Sequence, residues 1–198
     1  MAVWLQSLVM TFIPLFIVMD VFGSLPYVIE VTKGLPLKQQ HRIIHTATYT
    51  AALIGLVFLF FGRLILSAMN ISVGYFAIAC GIVLFVLSIR FLLTGQSVEM
   101  VRDEFLAISP LGTPLLAGPA IITTLLLLSL QYAVYIVLIS FALNLILAWI
   151  ILHAKDKIMG FMGSGGLKAI GNVFNLLLAA IAVSMVLRGF TLLGIIQG

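Results

Sequence analysis

One acidic residue, Asp20, lies inside an apolar stretch, and it opens the segment Asp20-Val21-Phe22-Gly23-Ser24-Leu25-Pro26. A carboxylate is costly in lipid, so it is a functional candidate by default, suited to an ammonium group, a Na⁺ or a proton. Its other use is to cap broken backbone and nothing more. A second interruption, Thr113-Pro114-Leu115-Leu116-Ala117-Gly118-Pro119, sits in another apolar stretch. Proline lacks an N–H and suits the first turn of a helix. Pro26 and Pro119 are therefore each expected to begin a half-helix, with Gly23 and Gly118 letting the chain bend before it. The start of such a half-helix carries N–H groups without intrahelical partners and a partial positive charge, which suits a carboxylate. Ala117, Gly118 and Ala120 leave room for a small ligand, and Thr123 and Thr124 one turn on add hydroxyls. The candidate substrate- or ion-binding residues are thus Asp20, Gly23, Ser24, Pro26, Thr113, Pro114, Gly118, Pro119, Thr123, Asn144 and Asn175.

Other reactive groups carry less. Asn144 and Asn175 fall within apolar stretches, where they line a path or hydrogen-bond between helices. His41 and His45 are four apart and share a helix face. Zinc needs further ligands, and the one remaining histidine, His153, is expected on a distant loop, so all three read as surface histidines at the membrane boundary. Cys80 is the single cysteine, which excludes an intrachain disulfide. It reads as a small packing residue. The sequence shows no nucleophile–base pair, metal cluster or cofactor motif, so no enzyme, metal or cofactor is expected beyond Na⁺ or H⁺ as a coupling ion.

The elements that must position these groups follow from composition. Of 198 residues, 63% are hydrophobic and 8% charged, with a mean hydropathy of +1.30. That excludes a soluble enzyme, a nucleic-acid binder and a secreted disulfide domain. Apolar runs of about 20 residues, the length that crosses a bilayer, give an all-α membrane protein with six helices. They are expected at about Trp4–Ile29, Ile43–Met69, Val73–Thr94, Phe105–Leu130, Tyr132–His153 and Ala169–Ile196. The first lacks a basic start and a cleavage site and reads as a retained helix, not a signal peptide. Ala47-x-x-x-Ala51-x-x-x-Gly55 and Ala77-x-x-x-Gly81 mark close helix packing. The Gly163-Ser164-Gly165-Gly166 run reads as a turn before the sixth helix, inside an expected loop at about Ala154–Lys168.

Orientation follows the basic residues. Lys33, Lys38, Arg42, Arg90, Arg102, Lys155, Lys157 and Lys168 share one side, and only Arg63 and Arg188 lie on the other, near helix ends where they can snorkel. The first side is therefore cytoplasmic and both termini face outward. Pro26 and Pro119 are 93 residues apart, close to half the chain. That offset lays helices one to three on helices four to six. Three helices per repeat invert the second half, and inverted repeats with matched broken helices are a transporter signature. The chain then forms one transmembrane domain over 1–198, with repeats at about 1–98 and 99–198.

The same residues resemble the MarC family of six-helix bacterial and archaeal inner-membrane proteins along essentially the whole chain. The family's Asp-Pro-x-Gly-x-x-Pro break resembles Asp20 to Pro26, with Val21 in place of the first proline. Its Ala-Gly-Gly element resembles Ala79-Cys80-Gly81, with Cys80 in place of a glycine. Its Pro-x-x-x-Pro-x-x-x-Gly-Pro pattern followed by Ile-x-Thr resembles Pro110 to Pro119 and then Ile121-Ile122-Thr123. The resemblance implies a group related to LysE-type exporters, in which a member moves small neutral amino acids such as glycine and alanine. The expected function is a secondary transporter of such amino acids in a prokaryotic cytoplasmic (inner) membrane, ion- or proton-coupled, working by alternating access. An exporter of another small metabolite or drug, and a non-transporting membrane protein, stay open as alternatives. The expected partners are the lipid bilayer and a small-molecule substrate, with no nucleic acid; a homo-oligomer is left open.

Overall fold

The computed structural model describes residues 2–94 and 118–196. Among them the chain forms seven helices: α1 Ala2–Met19, α2 Val21–Thr32, α3 Leu37–Ala68, α4 Val73–Thr94, α5 Pro119–Gln131, α6 Val134–His153 and α7 Lys155–Leu192. No strand occurs among the described residues. Among the described residues, five stretches are long and apolar enough to cross a membrane: Trp4–Pro26, Leu37–Ala68, Val73–Leu93, Val134–His153 and Lys155–Leu192. A shorter apolar helix covers Ala120–Gln131. Thr113 and Pro114, and the expected start of the fourth helix near Phe105, lie outside the described residues.

Three expected boundaries change. The first helix is broken at Asp20, so Pro26 does not begin a half-helix; it sits inside α2. There it costs only the N–H that would reach the Phe22 carbonyl one turn back. The second helix starts at Leu37, not Ile43, and the connection from α2 shrinks to residues 33–36. The expected loop at Ala154–Lys168 is helical, and α7 begins at Lys155. Hydropathy reports where lipid ends, whereas helix formation continues into water wherever the residues permit it. The glycine run still interrupts the helix. Gly163 has φ 65° and ψ 174°, a combination essentially reserved for glycine.

The expected third helix begins where α4 does, at Val73. Asn70, at φ 55°, turns the chain before it, and the Ser72 hydroxyl accepts the Tyr75 N–H at 3.2 Å. Asparagine tolerates that left-handed conformation, and serine is a favoured N-cap.

Small residues set the packing, as their spacing indicates. α4 runs antiparallel against α7, nearly main chain to main chain. A Cβ on Gly81 would lie 2.8 Å from the Ala182 carbonyl oxygen, and one on Gly189 would lie 2.7 Å from that of Gly74. Ala77 and Ala182 are fully buried in the same seam. Gly55 of α3 admits the Phe141 ring of α6, and Gly62 admits the Leu126 side chain of α5. Further contacts join α1 to α6, α2 to α7, and α5 to both α3 and α4. The outward faces carry Leu53, Leu64, Tyr75, Val86 and Leu93, which are exposed in the isolated chain and meet lipid in the bilayer.

At the Lys-rich end, Lys155 is buried. Its ammonium donates to Gln40 Oε1 at 2.7 Å and pairs with exposed Asp156 at 3.0 Å. Gln40 in turn donates to the Leu35 carbonyl at 2.8 Å. Gln40→Leu leaves the buried ammonium without its best-placed neutral acceptor, and thermal unfolding in detergent is expected to show a loss of about 1–3 kcal/mol.

Candidate functional site

The break between α1 and α2 is built by one side chain. Asp20 has left-handed backbone (φ 44°, ψ 44°) and is the N-cap of α2. Its Oδ1 accepts the Gly23 N–H at 3.2 Å, and its carbonyl accepts the Ser24 N–H at 2.9 Å. Left-handed backbone is costly for most residues and tolerated by Asp and Asn. Gly23 is required for a local reason, since a Cβ there would overlap the Asp20 carboxylate. Gly23→Ala is therefore expected to push the carboxylate off the helix start and cost about 0.5–2 kcal/mol, as loss of an N-cap does. A double-mutant cycle checks this: added to Asp20→Ala, the change should cost almost nothing more.

The elbow rests on α7. A Cβ on Gly171 would lie 3.7 Å from the Gly23 Cα, so the two backbones approach closely. Phe174 packs against Phe22 at 5.3 Å and Phe16 at 5.8 Å between ring centroids. Asn175 is one turn beyond Gly171 on the buried face of α7, running back toward α1. That brings it level with Asp20. Ser24 is buried there too, with its hydroxyl turned back onto the Val21 carbonyl at 3.0 Å.

Asn144 belongs to a different place. Its amide nitrogen donates to the Phe12 carbonyl of α1 at 3.2 Å and to the Ser140 carbonyl at 2.9 Å. One turn earlier the Ser140 hydroxyl lies 2.6 Å from that of Thr11 and 3.3 Å from the Leu8 carbonyl. Two polar side chains a turn apart on α6 thus grip two carbonyls a turn apart on α1. From Phe12 to Asp20 is eight residues, about 12 Å along the helix, so Asn144 and Asp20 are not neighbours.

α5 begins as its sequence indicates. Gly118 is the N-cap in extended backbone and Pro119 occupies the first turn. The Thr124 hydroxyl returns to the Ala120 carbonyl at 2.8 Å, and the buried Thr123 hydroxyl bonds the Cys80 thiol of α4. Both hydroxyls are engaged in packing. Cys80 is buried at that contact, the small packing residue its position suggests. At the far end Arg63 reaches the Ser129 carbonyl and Arg188 reaches Gln131 Oε1, each at 3.3 Å.

The sequence profile of the MarC family of integral membrane proteins matches residues 5–193. The chain belongs to the MarC family. It is similar to the UPF0056 inner membrane protein YhgN of Escherichia coli (strain K12), 34% identical over 182 residues, covering 88% of this chain and 91% of YhgN. A UPF0056 membrane protein of Methanocaldococcus jannaschii is 29% identical over 197 residues, covering 93% and 96%. No solved structure matches. With its apolar helices and its inner-membrane relatives, this MarC-family chain is a multi-pass protein of a prokaryotic inner membrane.

One cluster in the MarC-family chain is invisible in its sequence. All three histidines come together, correcting the distant place expected for His153. Its ring lies 4.9 Å from His41 and 5.1 Å from His45. Trp149 sits among them, donating its indole N–H to His45 Nδ1 at 3.2 Å and offering its carbonyl to His153 Nδ1 at 2.9 Å. An indole N–H on Nδ1 leaves neutral His45 with its proton on Nε2 and no lone pair for a metal. Among the described residues no group of three His, Cys, Asp or Glu side chains has metal-holding geometry. The spacing of His41 and His45 gave half of this cluster; only the antiparallel pairing of α3 with α6 supplies the rest.

Proposed function

We propose that this MarC-family protein is a secondary transporter of small neutral amino acids, glycine and alanine above all, driven by Na⁺ or H⁺. In this reading it has six spans, the fourth being α5 with the residues before it. Both termini face outward, and the two halves are inverted repeats. The observation that carries the proposal is the pair of helix starts inside the apolar bundle: α2 capped by Asp20 and α5 opened by Gly118-Pro119. Broken helices in lipid are tolerated where they face protein or a cavity, and transporters use their ends to hold substrate and ions.

Helix neighbours support the repeat. Let the first, second and third spans exchange with the fourth, fifth and sixth. The α2–α6 contact then becomes α5–α3, and α2–α7 becomes α5–α4, while α4–α7 maps onto itself. Each of these contacts is present. Alternating access would come from one half moving against the other. No step in the proposal makes or breaks a covalent bond.

The test is labelled glycine and alanine flux into proteoliposomes holding the purified protein, under imposed Na⁺ or H⁺ gradients. Accumulation that needs a gradient is the expected result. Folded protein that moves neither amino acid under either gradient would overturn the reading.

A further inference from the structure

α7 is longer than a crossing needs. Lys155–Leu192 is 38 residues, about 57 Å of helix, against a hydrocarbon core of about 30 Å. Gly163 breaks it, and residues 164–192 alone make about 43 Å. The first part, 155–162, is therefore spare. Its direction follows from its neighbours. α6 packs on α1 and α3, whereas α7 packs on α4 and α2, and the two touch each other little. Only Ala154 separates α6 from α7. The first part of α7, about 12 Å long, thus carries the chain sideways across the Lys-rich end of the bundle, and Gly163 turns it into the crossing part.

The roll of this crosswise piece is fixed. Lys155, Ile158, Met159 and Met162 share one helix face. Lys155 is buried and held by Gln40 of α3 at 2.7 Å, and the three apolar side chains pack on the core. Phe161 is left outside. It is 93% exposed, more than any other large apolar side chain among the described residues. Lys157, one turn before it on the same face, is exposed and makes no ion pair among the described residues. Asp156 lies about 140° around the helix from Phe161 and pairs with Lys155. One flank thus carries an aromatic ring beside an unpaired ammonium, and the other carries the carboxylate. A helix lying in the membrane surface with that division sits at the headgroup level, ring toward the acyl chains and ammonium at the phosphates.

We propose that the Lys157–Phe161 flank of α7 is a docking site for one anionic phospholipid of the phosphatidylglycerol type. Its phosphate meets the Lys157 ammonium, and the upper part of an acyl chain lies against the Phe161 ring. Charge complementarity selects this occupant. Lys33, Lys38, Arg42 and Lys168 are also exposed at the Lys-rich end. Of the described carboxylates there, Glu30 pairs with Lys33 and Asp156 with Lys155. A second copy of this chain would present the same positive face and be repelled. A zwitterionic lipid brings no net charge to the site. The proposal stands apart from the transport reading.

The test uses the full chain in phosphatidylcholine vesicles, with a thiol-reactive fluorophore on Phe161→Cys and, for the other flank, on Asp156→Cys. The wild-type chain, whose single cysteine is buried, is the labelling control. The label at 161 is expected to be quenched by lipid brominated on its acyl chains and shielded from aqueous iodide, and the label at 156 to behave the other way. At equal mole fraction, brominated phosphatidylglycerol is expected to quench the 161 label at least about threefold more effectively than brominated phosphatidylcholine, the scale that one lysine gives near an anionic surface. Lys157→Gln should bring that preference below about twofold, while Lys38→Gln, which removes the same charge from α3, leaves it in place. Both substitutions are at exposed positions, so folding is not at issue. Iodide quenching at 161 without lipid quenching would turn this flank to water and overturn the proposal. Shielding from both quenchers would mean that protein covers it, a second copy included, and overturns it equally. Equal quenching by the two lipids, or equal effects of Lys157→Gln and Lys38→Gln, would leave a diffuse surface charge with no site.

Discussion

Asp20→Asn is expected to fold with near-native stability and to lose gradient-driven glycine and alanine flux by at least about tenfold, the factor that some 1.4 kcal/mol of lost interaction gives. The substitution separates two jobs of one side chain. Asparagine still offers Oδ1 to the Gly23 N–H, ranks beside aspartate as an N-cap, and tolerates left-handed backbone. Only the negative charge and its proton are removed. Flux under a gradient should fail. Asp20→Ala, by contrast, loses both cap and charge and should lower the unfolding temperature as well. If Asp20→Asn accumulates amino acid as wild type does, Asp20 is a cap only.

Gly81→Leu is the largest expected loss of stability. Nothing at Gly81 can yield by turning a side chain alone, because the Cβ would meet the Ala182 carbonyl at 2.8 Å and the Val186 nitrogen at 3.2 Å. α4 and α7 must separate, and every contact along the seam weakens with them. Overpacking of a core costs about 1–3 kcal/mol and sometimes more; here the obstacle is backbone, so about 3 kcal/mol or above is expected. Gly55→Ala makes the comparison: its obstacle is the Phe141 ring, which can tilt, so a smaller loss is expected. Thermal unfolding of both variants in detergent checks the order, and Gly55→Ala equalling Gly81→Leu would remove the distinction between backbone and side-chain obstacles.

Much of the architecture was legible because lipid leaves few choices. The start of α4 at Val73 is legible because Asn70 and Ser72 punctuate a sharp change in polarity. The packing role of Ala77 and Gly81 followed from spacing alone. Proline does not mark the start of α2. In fact the Asp20-x-x-Gly23 pattern is the stronger signal: a short carboxylate can cap three residues on, and a glycine clears the way for it. Hydropathy alone places the start of α7 too late, because it cannot see a helix that continues into water. Which of the candidate residues lie near one another is not legible in their spacing. Asp20 and Gly118 look alike in sequence, as residues at helix breaks. Only the Phe12–Asn144 bond and the Gly55, Gly62 and Gly171 contacts place them at different depths. The histidine cluster shows the same limit, since His41 and His153 are joined by helix pairing, not by spacing.

The glycine seam also has a consequence for how the chain is made. Gly81 and Ala182, which meet in the fold, are 101 residues apart in the chain. At a synthesis rate of about 5–20 residues per second, α4 must wait on the order of 5–20 s in the bilayer before its partner emerges. During that interval its narrow, close-packing face is turned to lipid. A nascent chain arrested before α7 would carry that face uncovered, ready to pair with the α4 of a second unfinished copy.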